Sequence, residues 1–271
     1  MTWLTEFGQV VHEAAHLSKL DTLEAAHAAL HSGDPTRLIE AFPGGVTIDD
    51  PRAGHVEGAA ALEDYCRESS AWLAERQAHA RSLAVTNGKD RVVGEFEVDM
   101  VQDGRAFTLP LAAVVEPDRS RRSVAIRSYH SHWPLLGRHI LRSPLLRSDP
   151  DAVESDVVGE YQAALRAGDA AAWVAAFEPD GCFREPAGGD HRYCGTEALR
   201  DLATAFFAQG GIILEHCTVT DDGTRVALEF NAVAWGGRAM PHQAGVAVYE
   251  RGRTGRLAAA RVYDDVDPPL G

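Results

Sequence analysis

Residues 165–186 read LRAGDAAAWVAAFEPDGCFREP, and residues 30–51 read LHSGDPTRLIEAFPGGVTIDDP. The two stretches share one register. Leu30 and Gly33-Asp34 face Leu165 and Gly168-Asp169, Ala41-Phe42 faces Ala176-Phe177, and Asp50-Pro51 faces Glu185-Pro186, all at an offset of 135. The pairing continues outward. Gly58 faces Gly195 and Ala61-Leu62 faces Ala198-Leu199, after a two-residue insertion in the second copy. Arg91-Val92 and Glu95-Phe96 face Arg225-Val226 and Glu229-Phe230; Arg127-x-Tyr129 faces Arg261-x-Tyr263; Pro134 faces Pro268. A register held over a domain length marks an internal duplication. The first copy covers 1–138, with an N-terminal helical extension, and the second covers 150–271. The stretch 139–149 is a linker, because Pro144 and the adjoining Pro150 break any helix there.

The second copy shows the unit most cleanly. Residues 153–166 place Val157, Val158, Tyr161, Ala164 and Leu165 on one helical face. Gly168-Asp169 stops that helix and starts another over 170–177. GCFREP (181–186) reads as a short strand closed by proline, and 195–208 as a longer helix carrying Leu199, Leu202, Phe206 and Phe207. Strands follow at 212–220, 225–235, 240–250 and 256–265, separated by Asp222-Gly223, Gly236-Gly237 and Gly252 to Gly255. Helices followed by an antiparallel meander predict an α+β unit in which three helices cover one face of a curved sheet. Such a cone leaves an apolar cavity suited to a small ligand.

Composition narrows the function. A hydrophobic share of 45% and a charged share of 24% are those of an ordinary globular chain. A net charge of -14 repels phosphate backbones, so nucleic acid is not the expected partner. No apolar run reaches the roughly 18 residues of a membrane span, and the N-terminus lacks a secretory pattern. Cys66, Cys182, Cys194 and Cys217 form no C-x-x-C, which leads to the expectation of reduced thiols in a cytoplasmic protein. There is no phosphate-binding glycine loop and no G-x-S-x-G elbow, so cofactor-free chemistry is expected.

The Tyr-x-Ala-Ala-Leu-x-Ala-Gly-Asp helix end at 161–169, the Ala-x-Phe helix, the carboxylate-Pro pair Glu185-Pro186 and the Gly-Thr-x-Ala helix start at 195–198 resemble the bacterial ketosteroid isomerases. These isomerases share the cone-shaped nuclear-transport-factor-2-like fold. The resemblance implies that each copy adopts this fold and that the two pair as an internal pseudo-dimer. It also implies an oxyanion donor at Tyr161 and a proton-transferring base at Glu185; ketosteroid isomerase is itself a worked example of that design. The chemistry suits the residue types. An enolate needs a base in an apolar site and a donor aimed at the oxygen. The isomerases' second oxyanion acid would fall at Gly245 or Val246, where no acid stands; His242 or Gln243 is the substitute donor expected there.

Arg261-Val-Tyr-Asp264-Asp265 resembles the last strand of SnoaL-like polyketide cyclases, which implies an acid/base role at this point. Alternation lets only one of the two acids face inward, and spacing from Arg261 favours Asp265, with Asp264 left to contact substrate. Trp235, Phe206 and Tyr193 are expected to contact it too. The first copy keeps Asp50 at the base position but has Ala26 in place of the tyrosine and His130-Ser131-His132 in place of the acids. It reads as a scaffold or as a site of different chemistry. His12-Glu-Ala-Ala-His16 is a literal H-E-x-x-H, but it precedes the repeat and has no third ligand at metzincin spacing, so no metal is expected.

These readings lead to a cofactor-independent isomerase or cyclase acting on a small apolar carbonyl compound in the second copy, present as a monomer or weak dimer. Two alternatives stand beside it. One is a polyether-type epoxide hydrolase, although His31 and Arg166 occupy the place of its helix-end acid. The other is a non-catalytic module that binds a small ligand or a partner protein.

Overall fold

A computed structural model describes residues 18–154 and 156–267. The H-E-x-x-H motif at 12–16 and Pro268 lie outside the described residues. The first half contains α1 (Lys19–Ser32), α2 (Thr36–Ala41), β1 (Gly45–Asp50), β2 (Gly54–Glu57), α3 (Ala59–Glu75), β3 (His79–Asn87), β4 (Val92–Gln102), β5 (Arg105–Asp118) and β6 (Ser123–Tyr129). After the single turn α4 (Trp133–Leu136) the pattern repeats: α5 (Asp156–Ala167), α6 (Ala170–Ala175), β7 (Phe177–Arg184), β8 (Arg192–Cys194), α7 (Thr196–Phe206), β9 (Ile212–Asp221), β10 (Arg225–Trp235), β11 (Arg238–Arg251) and β12 (Leu257–Tyr263).

Each half forms one six-stranded sheet, in the orders β2-β1-β6-β5-β4-β3 and β8-β7-β12-β11-β10-β9. The pairs β1–β6 and β7–β12 are parallel and the remaining neighbours antiparallel. The architecture is therefore α+β with two equivalent layers, as the duplication predicts. Gly168-Asp169 acts as read from sequence, and Gly33 repeats the helix-closing part of that role in the first half. Gly33 closes α1 in a left-handed conformation (φ 77°), and Asp169 caps α6 by accepting from the Ala172 N–H at 3.0 Å. A Cβ at Gly168 would lie 2.8 Å from the Gly211 nitrogen, so only glycine permits that close approach of two chain segments.

Two local expectations change. The short strand expected at 181–186 begins four residues earlier, and Pro179 is accommodated there because the β7–β12 register shifts between Leu257 and Ala259. The antiparallel β7–β8 pairing places Cys182 directly opposite Cys194, and the two form a disulfide. The expectation of four reduced thiols is thus corrected for this pair. Cys66 and Cys217 remain free and buried.

The sheets face one another. Val93, Ala112, Val114 and Tyr129 of the first pack with Ala227, Ala244, Val246, Val248 and Tyr263 of the second in one shared core. Two crossed ion pairs close this core. Arg127 reaches over to Glu229 (Nε–Oε1 2.6 Å), to which the Tyr129 hydroxyl also donates at 2.7 Å. Arg261 reaches back to Glu95 (Nε–Oε1 2.6 Å), with the Tyr263 hydroxyl donating at 2.5 Å. The repeated Arg-x-Tyr and Glu positions are therefore the reciprocal contacts of an internal pseudo-dimer. The guanidinium of Arg184 lies over Tyr263 at 4.7 Å. Asp49 holds the equivalent place in the first half, and there Arg142 of the connecting chain covers Tyr129 at 4.8 Å.

Candidate functional site

The helices of the second half close a cavity of about 470 Å³ against the concave side of their sheet. Its walls are largely apolar, with Leu165 from α5, Phe183 from β7, Phe206 from α7, Leu214 from β9, Phe230 from β10, Tyr249 from β11 and Val262 from β12. Tyr161, Glu185 and Asp264 also line it, and so do Tyr193 and Trp235. The sequence-predicted pair Tyr161 and Glu185 is thus brought to one cavity, along with all four residues expected to contact a substrate.

Tyr161 sits on the inward face of α5, its ring 5.0 Å from Tyr249 and 5.5 Å from Trp173. Burial among these rings raises its phenol well above the usual range, which keeps it a proton donor. Glu185 directly follows β7, and its backbone N–H donates to the His191 carbonyl at 3.0 Å. Burial raises its carboxyl, while a hydrogen bond from Tyr193 and the nearby His191 act in the opposite direction. Burial, and then the neighbouring Glu185, push the Tyr193 phenol up to about 12.

Asp264 lies just beyond β12. Burial pushes its carboxyl up to about 7; the Val266 N–H works against this, and the charges of Asp265 and Glu185 add to it. The space it occupies depends on glycine. A Cβ at Gly245 would lie 2.6 Å from the Phe230 ring and 2.8 Å from the Asp264 Cβ. Gly245 is one of the positions where the isomerase resemblance seeks its second acid. Here the acid arrives from the neighbouring strand end and fills the room that the glycine leaves.

Asp265 is placed differently from the expectation. Val262 and Asp264 share the cavity face, so Tyr263 and Asp265 take the opposite one. Asp265 accepts from the Ser131 hydroxyl (2.7 Å), the His132 N–H (3.0 Å) and Nδ1 (2.7 Å), His139 Nδ1 (3.0 Å) and the Ile140 N–H (2.8 Å). Burial alone would raise it, but these donors hold it below the usual carboxylate range. His242 likewise lies away from the cavity and is exposed. Ala247 and Tyr249 of β11 line the cavity while Ala244, Val246 and Val248 pack into the shared core, so alternation along the strand puts His242 in phase with the latter set.

In the first half, Asp50 accepts from the Arg52 and Ala53 N–H groups (3.0 and 2.9 Å) and from the Ser128 hydroxyl (2.9 Å). Burial acts to raise it, yet His130 and these donors leave it below the usual range. His130 occupies the position matching Asp264, so a carboxylate–histidine pair stands where the second half has two carboxyls. Ala26 is part of the packed core. Among the described residues, no cluster of three or more His, Cys, Asp or Glu is arranged to hold a metal ion. Sequence reasoning missed Trp133, from α4 at the end of the first half, and His139, from the connecting chain, both of which line the second cavity. Nothing local to either residue signals this, because the contact depends on how the two halves pack.

The duplicated fold defines a tandem cone-type protein. A family model described as a SnoaL-like domain matches residues 23–120 and again 158–260, and the chain belongs to that family. No curated protein matches the sequence. Solved structures show similarity to parts of it. One is a nuclear-transport-factor-2-like protein of unknown function from Cytophaga hutchinsonii (18% identity, 40% of this chain and 87% of that chain, TM-score 0.33). Another is a proposed polyketide cyclase from Sinorhizobium meliloti (19%, 40% and 94%, TM-score 0.33). A third is an LEH-like epoxide hydrolase of M. tuberculosis (22%, 40% and 80%, TM-score 0.35). No helix among the described residues is long and apolar enough to cross a membrane.

Proposed function

We propose that the second-half cavity is a proton-transfer site that isomerises or cyclises a small apolar carbonyl compound without a cofactor. The observation that carries this reading is the placement of two carboxyls with raised pKa values, Glu185 and Asp264, in one apolar cavity with Tyr161. Ionised Glu185 takes a proton from the carbon next to the carbonyl. The C–H electron pair becomes a C=C bond and the carbonyl pair moves onto oxygen. Neutral Asp264 or Tyr161 donates a hydrogen bond to that oxygen as charge builds on it. Return of a proton to another carbon gives an isomer. Attack of the enolate on a second carbonyl closes a ring.

The tasks of the two carboxyls oppose each other, one acting ionised and the other protonated. The rate rises as Glu185 ionises and falls once Asp264 loses its proton near pH 7, so a bell-shaped profile with its alkaline limb near 7 is expected. The test uses β-tetralone, a bicyclic ketone, in deuterated water, with label at the α-carbons followed by NMR. Glu185→Gln is expected to reduce incorporation about 10²- to 10⁴-fold, the usual range for losing a general base. Tyr161→Phe reduces it by a smaller factor. Unchanged incorporation in both variants would contradict the reading and leave a binding cavity.

A further inference from the structure

We infer that His139, carried by the chain connecting the two halves, is a second proton-transfer group of this cavity, and that Asp265 is the residue positioning it. The inference rests on the proton-transfer reading above and deepens it. His139 lines the cavity, and its ring stacks on that of Trp133 (centroids 5.1 Å apart), which lines it too. Asp265 holds the ring at Nδ1 (3.0 Å) and the adjoining backbone at the Ile140 N–H (2.8 Å), so one carboxylate fixes both the side chain and its main chain. A carboxylate only accepts. The proton of a neutral ring therefore sits on Nδ1, and Nε2 keeps its lone pair. His132 makes the same bond to Asp265 but is buried and does not line the cavity.

The duplication supports a dedicated role. Ser131 stands in the first half where Asp265 stands in the second, so the first half has no counterpart of this carboxylate. Nε2 takes a proton from water in the cavity, the hydroxide left behind is neutralised when Glu185 later gives up its proton, and the imidazolium charge is balanced by Asp265. Glu185 removes the substrate's α-proton. The imidazolium delivers its own proton to the far carbon as the enolate electron pair forms the new C–H bond. Glu185 is left protonated and His139 neutral, and exchange of a proton from Glu185 to water resets the pair.

The test uses the full chain with β-tetralone for turnover and β-naphthol, an apolar enol mimic, for binding. His139→Gln is expected to slow label incorporation at saturating β-tetralone at least tenfold, while the Kd for β-naphthol stays within twofold. Asp265→Asn is expected to move the His139 proton off Nδ1 in the nitrogen-15 spectrum and to lower kcat with KM little changed. A His139→Gln rate within twofold of the parent, or binding lost in proportion to rate, would overturn the inference and leave the Glu185 reading standing. Absence of exchange by the parent protein would overturn the Glu185 reading instead. The ring resonance of His139 then decides: it must carry its proton on Nδ1 and shift on saturation with β-naphthol, and a resonance that stays put overturns the inference.

Discussion

At the level of single residues, Asp264 has a cost that can be measured. Its folded-state pKa of about 7 lies above its ordinary 3.8, so the folded protein binds this proton more tightly than the unfolded chain. Stability from this group is full below about pH 4, declines as pH rises, and is lost above about 7. Asp264→Asn is therefore expected to raise stability at pH 8 by roughly 2–4 kcal/mol, to change little at pH 4, and to reduce activity. Chemical denaturation at both pH values checks the sign; equal effects at the two would contradict it. The identity of the inward acid was half legible. Alternation allows only one of Asp264 and Asp265 to face the cavity. The phase is marked by the repeated Arg-x-Tyr, since Arg261 and Tyr263 face the other sheet and so put Val262 and Asp264 inward. That marker has no meaning until the sheet–sheet contact is known.

At the level of elements, helix caps and turn glycines made the order of elements readable, and β10 has the bounds that its flanking turn signals predict. β8 was not readable, because three residues carry no period. Its position is nevertheless important, for it carries Tyr193 to Glu185 and is tied to β7 by the Cys182–Cys194 bridge. With a sequence separation of 12, opening this bridge is expected to cost roughly 2–3 kcal/mol. Cys194→Ser should lower the melting temperature, and reductant should lower that of the parent but not of the variant. Thiol titration of the denatured, unreduced chain should find Cys66 and Cys217 only. Four reactive thiols before reduction would contradict the bridge.

At the level of the whole molecule, the crossed pairs Arg127–Glu229 and Arg261–Glu95 join the two sheets in the middle of their shared core. Removing one partner strands a buried charge. Glu229→Ala is expected to destabilise by about 3–5 kcal/mol, whereas the apolar double replacement Arg127→Met with Glu229→Leu should recover most of that loss. Because the face that a second copy would cover is already filled, sedimentation should find a single chain, and an obligate larger assembly would contradict this. The duplication was plain in sequence from Gly33-Asp34 and Gly168-Asp169 outward. The inequality of its halves was only partly so: Ala26 against Tyr161 was visible, but the connecting chain's contribution to the second cavity was not. The central claim is that one half works and the other supports it, and deuterium incorporation into β-tetralone by two matched variants tests it most directly. The account predicts that Glu185→Gln lowers incorporation about 10²- to 10⁴-fold while Asp50→Asn, if folded, leaves it within about twofold, as expected of a residue outside the reacting site. Equal loss in both variants, or loss in Asp50→Asn alone, would contradict it.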